Sequence, residues 1–189
     1  MNNNSSLSKA IIRGDINQLN ELLANGFDPN GFDPRSSQQN YIRATPLMTL
    51  SLRNVENSID ILNLLLDTPG IDINLRGPRN NTALSWAAAY SRSRIIKKLL
   101  DAGAYINHIN DDGNSPLMMA AAQGNALTVM MLLKNNADTT IRNKYNKCAL
   151  DIAKYRMELV SINYSKHSSK VINIYGIIKL LEHYRKSTE

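Results

Sequence analysis

Four stretches of this 189-residue chain share one pattern: TPLMTLSLRNV from Thr45, TALSWAAAYSR from Thr82, SPLMMAAAQGN from Ser115 and CALDIAKYRME from Cys148. Thr82, Ser115 and Cys148 are evenly spaced along the chain, and Thr45 precedes Thr82 by slightly more than one such interval. A leucine pair follows each stretch: Leu65-Leu66, Leu99-Leu100, Leu132-Leu133 and Leu180-Leu181. Near the N-terminus, LSKAIIRGDINQLNELLANGFDPN matches the later half of the pattern, with Leu22-Leu23 as its pair. One such unit is too short to bury its own apolar face. The copies must therefore stack into an array in which each unit covers its neighbour.

Each part of the unit has a local physical meaning. Thr45 and Ser115 stand before proline, where a hydroxyl can accept an orphan backbone N–H and proline fits the first helical position. The alanines that follow let neighbouring helices approach closely, and Met118 and Met119 read as packing side chains that fill irregular gaps. The leucine pair supplies the apolar stripe of a second helix. Gly26, Gly103 and Asn136 sit where a left-handed cap would end that helix.

The pattern resembles the ankyrin repeat, a unit of about 33 residues with a T-P-L-H-x-A signature, two helices and a β-turn finger. The residues that carry the resemblance are Thr45-Pro46-Leu47, Thr82-Ala83-Leu84, Ser115-Pro116-Leu117, the alanines 87–88 and 120–121, and the turns 101–104 and 135–138. It implies an all-α solenoid of helix-turn-helix units with β-turn fingers. A single domain over 1–189 would hold about five repeats: an N-cap repeat at 6–30, a repeat with an extended finger at 31–77, repeats at 78–110 and 111–143, and a C-cap repeat with an insertion at 144–187. The signature histidine is absent, with Met48, Ser85, Met118 and Asp151 in its place. Asp151 resembles the residue of terminal repeats, and Ser8, Lys9 and Arg13 suit the exposed face of an N-terminal cap.

The period breaks twice. The interval from Leu22 to Leu65 exceeds it, the excess lying mainly in GFDPNGFDPRSSQQNYIRA, where GFDP occurs at 26–29 and 31–34. Its Gly, Pro, Asn and Ser content marks a loop, either a surface insertion or a longer finger that touches a partner. The interval from Cys148 to Leu180 is nearly twice that from Ser115 to Leu132. The extra residues read as a first helix prolonged to about Tyr164, a Ser/Lys/His loop, and a second helix from about Val171 to Tyr184. Leu127 and Met130 take positions that Arg94 and Lys97 hold one repeat earlier, so two apolar side chains face outward and need a cover. The expectation is that the insertion folds over them through Met157, Val160 or Ile162, leaving a monomer, with weak self-association through Leu127 and Met130 as the alternative.

No catalytic constellation emerges, and no cofactor or metal is expected. His108, His167 and His183 have no cysteine or histidine at ligand spacing. Asp111-Asp112-Gly113-Asn114 lacks the rest of a calcium loop and reads as a turn. Cys148 fills the Thr/Ser position of a repeat. A lone cysteine, no apolar run of spanning length and no apolar core in MNNNSSLSK together fit a cytoplasmic protein with no transmembrane segment. Asn and Ile usage hints at an AT-rich genome. With the short array, this looks like ankyrin proteins that intracellular bacteria deliver into a host cell.

The resemblance implies a non-catalytic protein-binding module whose partner meets the finger tips and the exposed face of each first helix. On this chain those positions are Tyr41, Ile42, Arg79, Asn81, Asp111, Asp112, Asn114, Lys144, Tyr145 and Lys147 on the fingers, and Arg13, Leu52, Arg53, Tyr90, Gln123, Tyr155 and Arg156 on the helices. Tyr and Arg dominate binding hot spots. Asp111 and Asp112 among the cations favour a partner protein with an acidic or mixed-charge surface over nucleic acid. Charge is uneven, with 6 basic and 8 acidic side chains in 1–77 against 9 and 4 in 143–189. The alternative reading is therefore a nucleic-acid or anionic-surface binder using the basic C-terminal quarter.

Overall fold

A computed structural model of the chain describes residues 5–33, 44–163 and 168–186. Among the described residues lie ten α-helices and no strand: α1 (Ser5–Arg13), α2 (Ile16–Ala24), α3 (Pro46–Leu52), α4 (Ser58–Leu66), α5 (Ala83–Ala89), α6 (Ser93–Asp101), α7 (Pro116–Gln123), α8 (Ala126–Lys134), α9 (Ala149–Asn163) and α10 (Ser169–Lys186). The fold is an all-α solenoid of helix pairs. Its contacts gather into two units, one running to Ala87 and including Arg94–Ala104, the other made of Ala88–Ser93 and the chain from Tyr105.

Within each unit like packs on like. In the first, α1 packs on α2 and α3, α2 on α4, and α3 on α4; in the second, α7 packs on α8 and α9, α8 on α10, and α9 on α10. The buried side chains are those of the repeat. The first helices bury Leu47 and Met48, Leu84 and Ala87, Leu117, Ala120 and Ala121, while the second helices bury Ile61, Leu62 and Leu65, Ile95, Ile96 and Leu99, and Val129, Leu132 and Leu133. Full burial of each large one stabilises the fold by about 1.5–3 kcal/mol.

The caps follow the sequence. Thr45 Oγ1 accepts from Met48 N at 3.3 Å, Thr82 Oγ1 from Ser85 N at 3.2 Å and Ser115 Oγ from Met118 N at 3.4 Å. Cys148 carries no hydroxyl, and here Asp151 reaches back, its Oδ2 accepting from Cys148 N at 3.0 Å. In the place of the signature histidine, Met48 and Met118 are 1% exposed and Ser85 is fully buried with its hydroxyl 3.1 Å from Thr82 Oγ1.

The register of the repeat is written in its left-handed residues. Gly14, Asn57, Ser91 and Gly124 turn the chain between the two helices of a pair; Gly26, Gly70, Gly103 and Asn136 end the second helix; Asn80, Gly113 and Asn146 shape the fingers. Ser91 to Gly124, Gly70 to Gly103 to Asn136, and Asn80 to Gly113 to Asn146 are all steps of one repeat period. Only glycine adopts this conformation without cost, and asparagine tolerates it best among the rest. The next step after Gly124 falls on Met157, a good helix former, and no turn forms there. Instead α9 runs for 15 residues and α10 for 18, whereas α2, α4, α6 and α8 have 9 each.

An asparagine series ties the loops that follow the second helices. In the first unit Asn30 accepts from Asp72 N at 2.8 Å and donates to Gly70 O at 2.7 Å, and Asn74 donates to Gly103 O at 3.3 Å. In the second, Asn107 accepts from Asp138 N at 2.9 Å.

Two expectations need correction. Lys9 and Arg13 are exposed, but Ser8 is buried at 2% exposure, because α1 packs against two helices and has two covered sides. Leu127 is not covered by the insertion: it stays 53% exposed, and Ile162 is itself 80% exposed. With no break at Met157, α9 continues as one helix to Asn163. What packs on α8 is α10.

Candidate functional site

The fingers of the second unit are built by asparagine side chains. Asn110 Oδ1 accepts from Asp112 N at 3.0 Å and Asn114 N at 2.9 Å, and Gly113 closes the turn with a φ of 78°. One repeat later Asn143 Oδ1 accepts from Tyr145 N and Lys147 N, both at 3.0 Å. The two fingers lock together through Lys144 N donating to Asp112 O at 3.0 Å and Asn143 Nδ2 donating to Asn114 Oδ1 at 2.8 Å. They lie so close that a Cβ on Gly113 would stand 2.9 Å from Asn143 Cα. Arg142 braces the second finger, donating to Asn146 O at 2.9 Å and reaching Asp151 Oδ2 at 3.4 Å. The Asp151 carboxyl is held below the usual carboxylate range, chiefly by the Cys148 backbone N–H; burial opposes this, and the Cys148 thiol, Arg142 and Lys147 assist it.

This frame presents Asp111, Lys144, Tyr145 and Lys147 to solvent, with Tyr145 74% exposed. Asp112 is half-buried at the finger junction. Asn114 is half-buried and engaged by Asn143, so it is part of the frame. On the helices, Gln123 ends α7 exposed, and Tyr90 and Tyr155 are exposed. Arg156 is half-buried: its Nε is buried, and a Cβ on Gly124 would lie 3.1 Å from it. The sequence places Arg156 on the surface; the structure uses much of it as packing.

In the first unit, Arg13 and Arg53 are exposed where α1 and α3 end, and Leu52 is half-buried. Arg79 is exposed in a single 3-10 turn, Pro78–Asn80, with a φ of 56°. Asn81, expected at the surface, is 3% exposed: its side chain donates to Pro78 O at 3.2 Å and its carbonyl accepts from Gly77 N at 2.8 Å, so it clasps the turn. The Met48 sulfur fills the space where a Gly77 side chain would begin, which ties this finger to α3. Tyr41 and Ile42, with most of the long finger, lie outside the described residues.

The family described as ankyrin repeats (3 copies) matches residues 7–110 and 84–162. The chain belongs to the ankyrin-repeat family. Among curated proteins, it is 33% identical over 109 residues to an ankyrin repeat-containing protein of Treponema pallidum (strain Nichols), covering 57% of this chain and 36% of that one. It is 33% identical over 108 residues to protein lin-12 of Caenorhabditis elegans, covering 52% of this chain and 8% of the relative. It is 25% identical over 169 residues to alpha-latrocrustotoxin-Lt1a of Latrodectus tredecimguttatus, covering 88% of this chain and 11% of the toxin. The chain therefore spans about a third or less of these relatives. Ankyrin repeats generally mediate protein–protein interaction, and the exposed tips above occupy the finger positions of this ankyrin array.

Among the described residues, no group of three or more His, Cys, Asp or Glu side chains comes together to hold a metal ion. No described helix is long and apolar enough to cross a membrane. Sequence reasoning missed the finger-builders Asn110 and Asn143 and the Arg142–Asp151 brace. The signal available was that the two asparagines stand one repeat period apart.

Proposed function

We propose that this ankyrin-repeat chain is a non-catalytic protein-binding module whose partner docks on the finger tips and the adjoining helix face of the second unit. The observation that carries the reading is the interlocked finger pair, which holds Lys144, Tyr145 and Lys147 exposed on a hydrogen-bonded frame. A preorganised tip loses little conformational freedom on binding, and tyrosine gives large contact area with a polar end. Asp111 on the neighbouring finger makes the surface mixed in charge, which favours a protein partner over a nucleic acid. The partner presents acidic groups to the lysines and a shallow apolar contact to Tyr145 and Tyr155.

The reading extends to an effector acting on a host protein in a reducing cytosol. The asparagine- and isoleucine-rich composition and the single, buried Cys148 support that extension. The test is affinity capture from eukaryotic lysate with the native chain beside a Lys144→Ala/Tyr145→Ala/Tyr155→Ala variant, followed by titration of the purified partner. Since all three side chains are exposed, the variant is expected to fold and to bind at least about ten-fold more weakly. Equal affinity of the two chains would move the site off the fingers.

A further inference from the structure

The two interlocked fingers repeat one another bond for bond. In the first, Asn110 N donates to Asn114 O at 3.1 Å and Gly113 N to Asn110 O at 2.9 Å, while Asn110 Oδ1 accepts from Asp112 N and Asn114 N. In the second, Asn143 N donates to Lys147 O at 3.0 Å and Asn146 N to Asn143 O at 2.9 Å, while Asn143 Oδ1 accepts from Tyr145 N and Lys147 N. Gly113 and Asn146 hold the same left-handed bend, at φ 78° and 55°. The turns therefore share one backbone shape, and Tyr145 and Lys147 stand in the second where Asp112 and Asn114 stand in the first.

Those two places are what the first finger uses to hold its successor. Asp112 O accepts from Lys144 N, and Asn114 Oδ1 accepts from Asn143 Nδ2. The second finger has no successor among the described residues, since one further period falls on Gly176 to Leu180, inside α10. The carbonyl of Tyr145, placed like that of Asp112, accordingly receives no N–H among the described residues. Every residue from Lys144 to Lys147 is exposed. An exposed backbone acceptor at the end of a hydrogen-bonded row is a template for one more element of the same kind.

The side chain at the second place changes in kind. Asn114 offers an oxygen and takes a donor, whereas Lys147 offers only N–H groups and a positive charge, so what meets it must be an acceptor, best an anion. Lys144 adds an exposed ammonium on the same turn. The acids nearby leave this charge in place. Asp151 helps to balance Lys147 but is bound by the Cys148 N–H at 3.0 Å and by Arg142 at 3.4 Å. Asp111 belongs to the first finger, and Glu158 stands two helical turns beyond Asp151, about 10 Å along α9.

We propose that the partner's contact segment is an acidic tight turn that docks as the next finger, donating a backbone N–H to the Tyr145 carbonyl and placing an Asp or Glu on Lys147. The inference rests on the protein-binding reading above and names the partner segment for the same site. Aspartate fits best: like Asn143 it accepts the N–H groups of its own turn, and its second oxygen is left for Lys147. The probe is a displayed library of short disulfide-closed loops, panned on the full native chain, on Lys147→Glu and on Lys147→Asn, each checked by its thermal melt. The native chain is expected to enrich loops with Asp or Glu at one fixed position. Lys147→Glu is expected to bind those loops at least about ten-fold more weakly and to enrich Lys or Arg there, and Lys147→Asn to take Asn or Gln there. With a selected loop bound, the NMR signal of the Tyr145 carbonyl carbon is expected to move downfield, as that of a new acceptor does, while that of Asp112 stays in place. The proposal is overturned if the three chains select the same loops, if no fixed acidic position emerges, if the Tyr145 carbonyl signal does not move, or if the native chain dimerises through this edge and Lys147→Glu dissociates it. Loops that tolerate Lys147→Glu but are lost from Lys144→Ala/Tyr145→Ala/Tyr155→Ala overturn this inference and leave the protein-binding site on the fingers. Loops indifferent to both sets overturn that reading as well.

Discussion

At the scale of single residues, Gly113 and Asn143 carry the finger pair. Replacing Gly113 by alanine places a methyl group against the Asn143 backbone and forces a left-handed alanine. The loss expected in urea unfolding is roughly 2 kcal/mol. Gly103→Ala, at a left-handed position with open space around it, is expected to cost about 1 kcal/mol. Ser91 holds a φ of 59°, so Ser91→Gly is expected to stabilise by about 1 kcal/mol in the same assay. Asp151 titrates below its ordinary value in the folded chain, so its contribution is present above the unfolded carboxylate range and is lost as pH falls through the lowered folded value. Acid unfolding of Asp151→Asn should accordingly show a shallower loss of stability below about pH 4 than the native chain. These roles were unevenly legible. Gly26 and Gly103 could be read because a glycine just past a leucine pair marks a left-handed helix end. Asn81 could not, since its burial comes from the turn that Gly77 and Pro78 make around it.

At the scale of elements, the contrast within the last helix pair is the informative one. Ile177 is fully buried and Ile162 is 80% exposed, though both are isoleucines on the same hairpin. Ile177→Ala is expected to cost about 3 kcal/mol in denaturant unfolding. Ile162→Ser is expected to stay within about 0.5 kcal/mol of the native chain. A large loss for Ile162→Ser would mean that Ile162 belongs to the core. The sequence foretells the length of both helices, since no breaker lies between Ala149 and Asn163. It does not foretell their direction, because a cover for Leu127 depends on where α9 points after Met157. Arg156 was misjudged for a related reason: a spacing that marks an exposed face in a pair that turns marks a packed one where Gly124 and Ile174 close in.

At the scale of the molecule, one period orders the backbone and one gradient orders the charge. The period was legible because copies in register reinforce one another, and the fold followed from it. The proposed binding surface was less legible, because the frame that presents its exposed tips is made of hydrogen bonds between fingers, and the asparagines that form them also occur as ordinary loop residues. The gradient, acidic toward the N-terminus and basic toward the C-terminus, bears on association with the proposed protein partner. Measured by stopped flow, association is expected to slow several-fold as salt rises while dissociation changes little, the behaviour of charges that steer an encounter. A salt-insensitive association rate would count against an acidic partner surface.

The backbone conformation that recurs at Asn80, Gly113 and Asn146 also makes the chain editable. A cassette cut from 113 to 145 begins on a left-handed residue and stops just before the next one. Duplicating it would join Tyr145 to a second Gly113, in the torsional state that Asn146 already holds at that seam. The inserted copy would bring its own cap, its own finger asparagine and its own helix ends. Growth of such a chain by whole units thus leaves no scar in the backbone. Any change of length that is not a whole unit must be absorbed outside the period, as in the prolonged α9 and α10.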